Sequence, residues 1–273
     1  MRRKAIDWSW YVPHLGNDRT TYVIGLFGTG RWYVTDLIKL NIGARAESVR
    51  GDNIRLHPGP TTIKYVSRGQ APPAVMSGIL KAMESGFADL IFVYRHPLDS
   101  LLTNWFWWRT FIRDRVLISG LSEVYKNTDD LCAALDQNFL EFKAFAEGDP
   151  EFFAAAPSKP FVPYHAYRFR FLFQGHPFLP FREFVEETEL HLQCATHASR
   201  LEDFVMDPVK EFSKILKVMS VDLDLSRSRV PPPGTRPYRY LAVKEKVPRF
   251  RNFIDGLNAD TKRRIEKIGY NTV

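Results

Sequence analysis

Cysteine is nearly absent from this chain: 273 residues carry only Cys132 and Cys194. Two thiols so far apart form neither a disulfide framework nor a zinc-ligand spacing, and a reducing, cytoplasmic setting is the expectation. Long apolar runs are also lacking. The basic start, Met1-Arg2-Arg3-Lys4, is followed by no apolar segment of a signal peptide, and no window of about 18 apolar residues occurs. There is no internal repeat and no low-complexity tract, which excludes solenoids, collagen-like chains and coiled coils. Neither Gly-x-x-x-x-Gly-Lys-Ser/Thr nor Gly-x-Gly-x-x-Gly is present, so the nucleotide-kinase P-loop and the dinucleotide fingerprint are both excluded.

The residues that are present describe an ordinary globular protein. Hydrophobic residues make up 45% and charged ones 25%, with 21 Phe, 11 Tyr and 6 Trp. Such a chain buries a proper core as one large domain or two small ones. A formal charge of +7, from 38 Lys and Arg against 31 Asp and Glu, favours phosphate-bearing small molecules, polyanions or anionic membranes as partners.

Strand-like and helix-like stretches alternate through the first half. Thr20–Phe27 reads as a strand, 28–30 as a tight Gly-Thr-Gly loop, and Trp32–Asn41 as a helix with Trp32, Leu37, Ile38 and Leu40 as its apolar positions. Thr61–Val66 is a second strand, Pro73–Glu84 a helix, and 89–94 a third strand whose unbroken apolar run fits burial on both faces. A long helix follows, with Asp99 as its expected N-cap. The pattern predicts an α/β fold, a central parallel sheet flanked by helices, in one domain over 1–273. Residues 149–182 crowd phenylalanine and proline together and are expected to form an insertion over a cleft. Gln193–Ser199 reads as a returning strand, Pro208–Met219 as an amphipathic helix, and Asn258–Ile268 as a terminal helix.

Three segments have the chemistry to handle anions. Gly28-Thr29-Gly30 joins a strand to a helix, where glycines let backbone N–H groups approach a phosphate and Arg31 adds a cation. Arg95 stands at the carboxyl end of an apolar strand, with the hydroxyl of Thr103 about one turn into the helix that follows. Read alone, it is equally an anion anchor or a surface ion pair. Between Ser226 and Arg251 lie eight basic residues and one acid, Glu245. Their place behind Pro231-Pro232-Pro233-Gly234 reads either as a solvated loop or as a lid, spanning 226–251, over a compact anion. The Trp105-Phe106-Trp107-Trp108 run is expected to be mostly core, with one ring left to stack on an acceptor.

Together these segments resemble the sulfotransferases that use 3′-phosphoadenosine 5′-phosphosulfate (PAPS). Gly28-Thr29-Gly30-Arg31 is similar to the Gly-Thr-Gly-Arg that opens the family's 5′-phosphosulfate loop. Arg95, Pro97 and Asp99 fit its Arg-x-Pro-x-Asp motif for the 3′-phosphate, and Thr103 stands where the family has Ser. Arg200-Leu-Glu-Asp-Phe-Val-Met-Asp-Pro208 resembles Arg-Tyr-Glu-Asp-Leu-x-x-Asp-Pro. Arg249-Phe250-Arg251-Asn252 with Gly269-Tyr270 is similar to the family's closing signature. These four matches keep the family's order and cover nearly the whole chain.

The resemblance implies a P-loop-like sulfotransferase fold, PAPS as donor, no metal, and a hydroxyl acceptor, with a carbohydrate or glycolipid favoured over nucleic acid. It places Gly28, Thr29, Gly30, Arg31, Trp32, Arg95, Thr103, Lys246, Arg249 and Arg251 around the donor. Trp32-Tyr33-Val34-Thr35 departs from the family's Ser-Gly-Thr-Thr, leaving Thr35 as a hydroxyl in that stretch. Val66-Ser67-Arg68 stands where many relatives have a catalytic His, so that role does not carry over. The candidates for the base are Glu47, at a position like that of a catalytic Glu in some bacterial carbohydrate sulfotransferases, then His57, then His14. Two other readings stay open: a non-catalytic nucleotide-binding relative, and a basic nucleic-acid-binding module.

Overall fold

The strand expected over 89–94, with its apolar run Leu90–Tyr94, is the backbone of the molecule's sheet. In the computed structural model, which describes residues 20–26, 28–42, 45–49, 62–66, 73–86, 88–113, 128–155, 179–234 and 238–271, it forms β4 (Ala88–Tyr94), buried at every position up to Val93. A strand with no polar alternation needs cover on both faces, the condition of an interior parallel strand. β4 pairs in parallel with β1 (Thr20–Ile24) on one side and with β5 (His197–Arg200) on the other. β1 in turn pairs with β3 (Thr62–Val66), and β3 with β2 (Arg45–Val49), again in parallel. The order is β2-β3-β1-β4-β5. The predicted α/β class with a central parallel sheet is therefore what the chain adopts.

Helices alternate with the strands in the first half: α1 (Arg31–Ile42) after β1, α2 (Pro73–Glu84) after β3, and α3 (Pro97–Trp107) after β4. A π-helical turn, Trp108–Arg113, continues α3. Then come α4 (Thr128–Gln137), α5 (Phe139–Glu147), α6 (Pro150–Ala155) and α7 (Phe181–Cys194). After β5 follow α8 (Leu201–Met206), α9 (Pro208–Val218), α10 (Arg239–Lys246), α11 (Pro248–Asp255) and α12 (Ala259–Lys267).

Two compact units divide these elements. One holds the described residues of Met1–Gly25, Gly30–Tyr94 and Gln193–Gly234, and so the whole sheet. Its core joins Val23, Ile91 and Val93 of the sheet to Val34, Leu37 and Ile38 of α1 and to Phe212, Ile215 and Leu216 of α9. The other unit holds the described residues of Leu26–Thr29, Arg95–Leu192 and Thr235–Val273. It is helical and aromatic: Trp105 meets Phe106 and Phe142 edge to face, and Trp108 packs against Phe145 and Phe152. Fully burying an aromatic or large aliphatic side chain stabilises by about 1.5–3 kcal/mol, so each of these clusters sustains its own unit.

Several expectations need correction. All four aromatics of 105–108 are buried, Trp107 the most accessible at 8%, so none stands out as a stacking platform. Residues 45–49, to which the sequence assigned no strand, form an edge strand; an edge tolerates the polar Arg45, Glu47 and Ser48 because pairing with β3 supplies its order. Leu40 is 51% exposed, because the core-facing stripe of α1 runs through Val34, Leu37 and Ile38. The described part of the basic stretch 226–251 is largely helical, in α10 and the start of α11, because Tyr240, Val243, Val247 and Phe250 recur at helical spacing and are buried. Of the expected insertion at 149–182, residues 156–178 lie outside the described residues.

Candidate functional site

In the helical unit, the strand-end arginine organises a polar cluster. Pro97 takes the first helical position of α3 with its φ already set for a helix, so the helix starts two residues before Asp99. The N-cap is His96, whose Nδ1 accepts from the Leu98 N–H at 3.2 Å. Asp99, expected as the cap, lies inside the first turn and acts across space instead. One carboxylate oxygen faces Arg95 Nη2 at 3.3 Å, and the other accepts the backbone N–H of Tyr240 at 2.9 Å.

Arg95 is only 4% exposed, and its remaining contacts define the site. Nη1 donates to the Gly28 carbonyl at 3.1 Å and lies 3.3 Å from the Thr103 hydroxyl. That hydroxyl donates in turn to the Asp99 carbonyl at 2.8 Å. The arginine and the hydroxyl eight residues later, matched above to one motif by resemblance, are thus in contact, and Gly28 joins them. Gly28 has a left-handed φ of +81°, and a Cβ there would lie 2.5 Å from Asn104 Oδ1. The turn before it is held by Thr29, whose N–H and hydroxyl both donate to the Leu26 carbonyl.

The second half of the glycine loop belongs to the sheet unit. Gly30 has φ +82°, and a Cβ there would meet Leu201 Cδ2 at 2.5 Å. α1 begins at Arg31, so the loop leads directly into the positive end of a twelve-residue helix. Arg31 is buried, and its Nη1 donates to the Gly25 carbonyl at 2.9 Å. Thr35 is fully buried and its hydroxyl donates to the Arg31 carbonyl at 3.0 Å. The hydroxyl expected to serve a ligand is therefore spent inside the helix.

Taken separately, each unit offers groups that suit an anion: Gly28 with Arg95 and Thr103 in the helical unit, and Gly30 leading into the N-terminus of α1 in the sheet unit. No family model matches the chain, and no curated protein matches its sequence. Among solved structures, that of the mouse sulfotransferase SULT7A1 complexed with PAP aligns with a TM-score of 0.42 and 13% identity, covering 93% of this chain and 83% of that one. So distant a likeness leaves the assignment to the residues themselves.

The other described candidates, Arg249 apart, have partners of their own. Lys246 pairs with Asp129 at 2.5 Å. Arg251 donates to the Lys244 and Glu245 carbonyls at 3.3 and 3.2 Å, closing the end of α10. Arg249 lines a separate cavity in the helical unit whose lining includes none of Gly28, Arg95 and Thr103. Glu47 sits in β2, paired in register with Lys64 of β3. His57 and His14 lie outside the described residues, as does the side chain of Trp32. Among the described residues no group of three or more His, Cys, Asp and Glu is placed to hold a metal ion. Nor is any described helix long and apolar enough to cross a membrane.

The sequence reading passed over an aromatic brace behind Arg95. His96 stacks on Tyr240 at 4.0 Å and meets Tyr270 and Tyr238 edge to face, while its Nε2 lies 3.2 Å from the Asn271 carbonyl. With Nδ1 accepting from Leu98, Nε2 carries the proton and donates. The Gly269-Tyr270 match and the Arg95 motif therefore meet in one place. The only signal in the sequence was a histidine before a helix-opening proline.

Burial, with Asp99 and Tyr238 beside it, pushes the Tyr240 phenol up to about 12. The unfolded chain loses this proton near 10. Between about 10 and 12 the folded chain holds a proton that the unfolded chain has released, so stability is fully present below that window and falls as pH rises through it. The urea midpoint of the wild type is expected to drop more between about pH 9.5 and 11.5 than that of Tyr240→Phe. Equal drops in the two proteins would refute this role for the phenol.

Proposed function

We propose that this chain is a sulfotransferase that moves a sulfuryl group from PAPS to a hydroxyl of a carbohydrate, glycolipid or similar small acceptor. The observation that carries the reading is the contact of Arg95 with both Thr103 and the Gly28 carbonyl. It unites the strand-end motif and the loop motif in one cluster. A guanidinium held beside a hydroxyl suits a phosphate monoester, to which arginine offers a fork of donors. The left-handed Gly28 and Gly30, each with no room for a Cβ, fit a loop that presents backbone N–H groups to an anion.

The donor supplies the sulfuryl group: the acceptor oxygen forms the new S–O bond in line as the bond to the phosphate oxygen breaks, and the acceptor proton passes to a base. Arg95 and Thr103 hold the 3′-phosphate. The amides of Gly28–Trp32 and the Arg31 guanidinium offset charge on the departing phosphate once Arg31 exchanges its Gly25 carbonyl for it. Removing one such preorganised donor typically costs about 3 kcal/mol, roughly a hundredfold in rate. Glu47 is the proposed base, and its place in the sequence is also what favours a carbohydrate acceptor. The free thiols of Cys132 and Cys194 suit a reducing, cytoplasmic setting.

Adenosine 3′,5′-bisphosphate is expected to raise the melting temperature where ATP and a single-stranded oligonucleotide do not, and labelled sulfate is expected to move from PAPS to a sugar acceptor. Stabilisation by the oligonucleotide alone, with a steep salt dependence, would favour the nucleic-acid module instead. Binding of the bisphosphate without transfer to any acceptor would leave a non-catalytic nucleotide-binding protein. That second reading draws on Arg31 and Thr35 being turned onto backbone carbonyls. Glu47→Gln is expected to abolish turnover while bisphosphate affinity stays within about twofold; undiminished turnover would remove Glu47 from the mechanism.

A further inference from the structure

Within the helical unit, α5, α7, α11 and the start of α12 surround a cavity of about 830 Å³. That lies in the range of about 300–1,000 Å³ typical of small-molecule sites. Apolar side chains form much of its wall: Phe139, Phe181, Phe253, Pro180 and Leu257 line it beside the polar Asn252, Asn258 and Thr261, with the Phe181 and Phe253 rings 6.4 Å apart. Its charges are unbalanced. Lys143, Arg182 and Arg249 face it against a single carboxylate, Glu147. Lys143 is paired with Glu147 at 3.7 Å, and Arg182 with Glu186 at 2.9 Å. Arg249 is exposed and has no ion pair among the described residues.

We propose that this cavity binds an anionic amphiphile, an aliphatic or aromatic body carrying one carboxylate or sulfonate. The body lies on the phenylalanines and the head group meets Arg249. The apolar wall accounts for affinity in proportion to the area it removes from water. The spare cation accounts for the sign of the head group, since a cationic amphiphile meets an excess of positive charge and a neutral one leaves Arg249 unanswered. The lining holds none of Gly28, Thr29, Gly30, Arg31, Arg95 and Thr103; it does hold Arg249, which the resemblance places around the donor, and the competition with adenosine 3′,5′-bisphosphate below separates the two roles.

The test is a fluorescence titration of the full chain with anilinonaphthalene sulfonate, followed by competition. We expect one saturable site, displaced by dodecanoate but not by dodecyltrimethylammonium or adenosine 3′,5′-bisphosphate. Arg249→Glu is expected to weaken the dye at least tenfold. Lys210→Glu makes the same change in net charge at an exposed position of α9 in the sheet unit, and is expected to leave dye affinity within about twofold. Several results would overturn the proposal: no saturable binding, equal losses in the two variants, or an unaltered Arg249→Glu. Displacement by the cationic amphiphile would do the same, and displacement by the bisphosphate would make the cavity part of the nucleotide site.

Discussion

Arg95→Ala is expected to abolish detectable binding of adenosine 3′,5′-bisphosphate and to destabilise the protein by about 3–5 kcal/mol. Both effects have one cause. The guanidinium is buried with Asp99, each side chain 5% exposed, and it also donates to the Gly28 carbonyl. Its removal leaves a carboxylate in a low-dielectric site with only the Tyr240 N–H and nearby dipoles for compensation. Loss of binding in an unfolded variant proves nothing, so two milder substitutions accompany it. Arg95→Lys keeps the charge opposite Asp99 but loses the planar fork, and bisphosphate affinity is expected to fall roughly ten- to a hundredfold. Thr103→Ala removes one hydroxyl, at a cost of about 1 kcal/mol in stability and a several-fold loss in affinity. Calorimetric titration of the folded variants decides the matter: unaltered affinity in both Arg95→Lys and Thr103→Ala would remove the phosphate from this cluster.

Gly30→Ala has the second large effect, and it acts on the fold. A left-handed φ costs an L-residue about 1–2 kcal/mol, and forcing a methyl into a filled core adds about 1–3 kcal/mol. At φ +82°, the new Cβ would lie 2.5 to 3.2 Å from three atoms of the Leu201 side chain, itself 1% exposed. Together these predict about 2–5 kcal/mol, a fall in Tm of roughly 5–15 °C. The comparison is internal to the unit: Gly86 has φ +76° with nothing within 4 Å of a Cβ. Gly86→Ala therefore reports the backbone cost alone, about 1–2 kcal/mol. If the two alanines destabilise equally in urea, Leu201 yields, and close packing is not the reason for glycine at 30.

Both sites show where sequence reasoning holds. The stretches read as Pro73–Glu84, 89–94 and Pro208–Met219 carried through to α2, β4 and α9 within one residue at each end. The cause is local: the apolar spacing of each stretch already specifies its period and its buried face. The pairing of Arg95 with Thr103 was anticipated through the motif they match, since Arg95 precedes α3 and its distance from Thr103 depends on how the chain enters that helix. Strand β2 was not legible, since an edge strand takes its order from the neighbour it pairs with and its own residues carry no alternation strong enough to read.

The sequence by itself determined the fold class of the protein, the place of its Gly28 and Gly30 turns and the position of Arg95 at a strand end. These follow from local propensity and from spacing along single elements. Only the tertiary structure decided how those groups are spent. It turned Asp99 from a helix cap into a bridge between Arg95 and the Tyr240 amide. It buried Trp105–Trp108 as core and folded part of the basic stretch into helices, with Lys246 paired to Asp129. It also set Arg249 beside a phenylalanine-lined cavity. Each of these depends on which distant segment packs against the residue, and burial, charge pairing and hydrogen-bond satisfaction are settled only when that neighbour arrives.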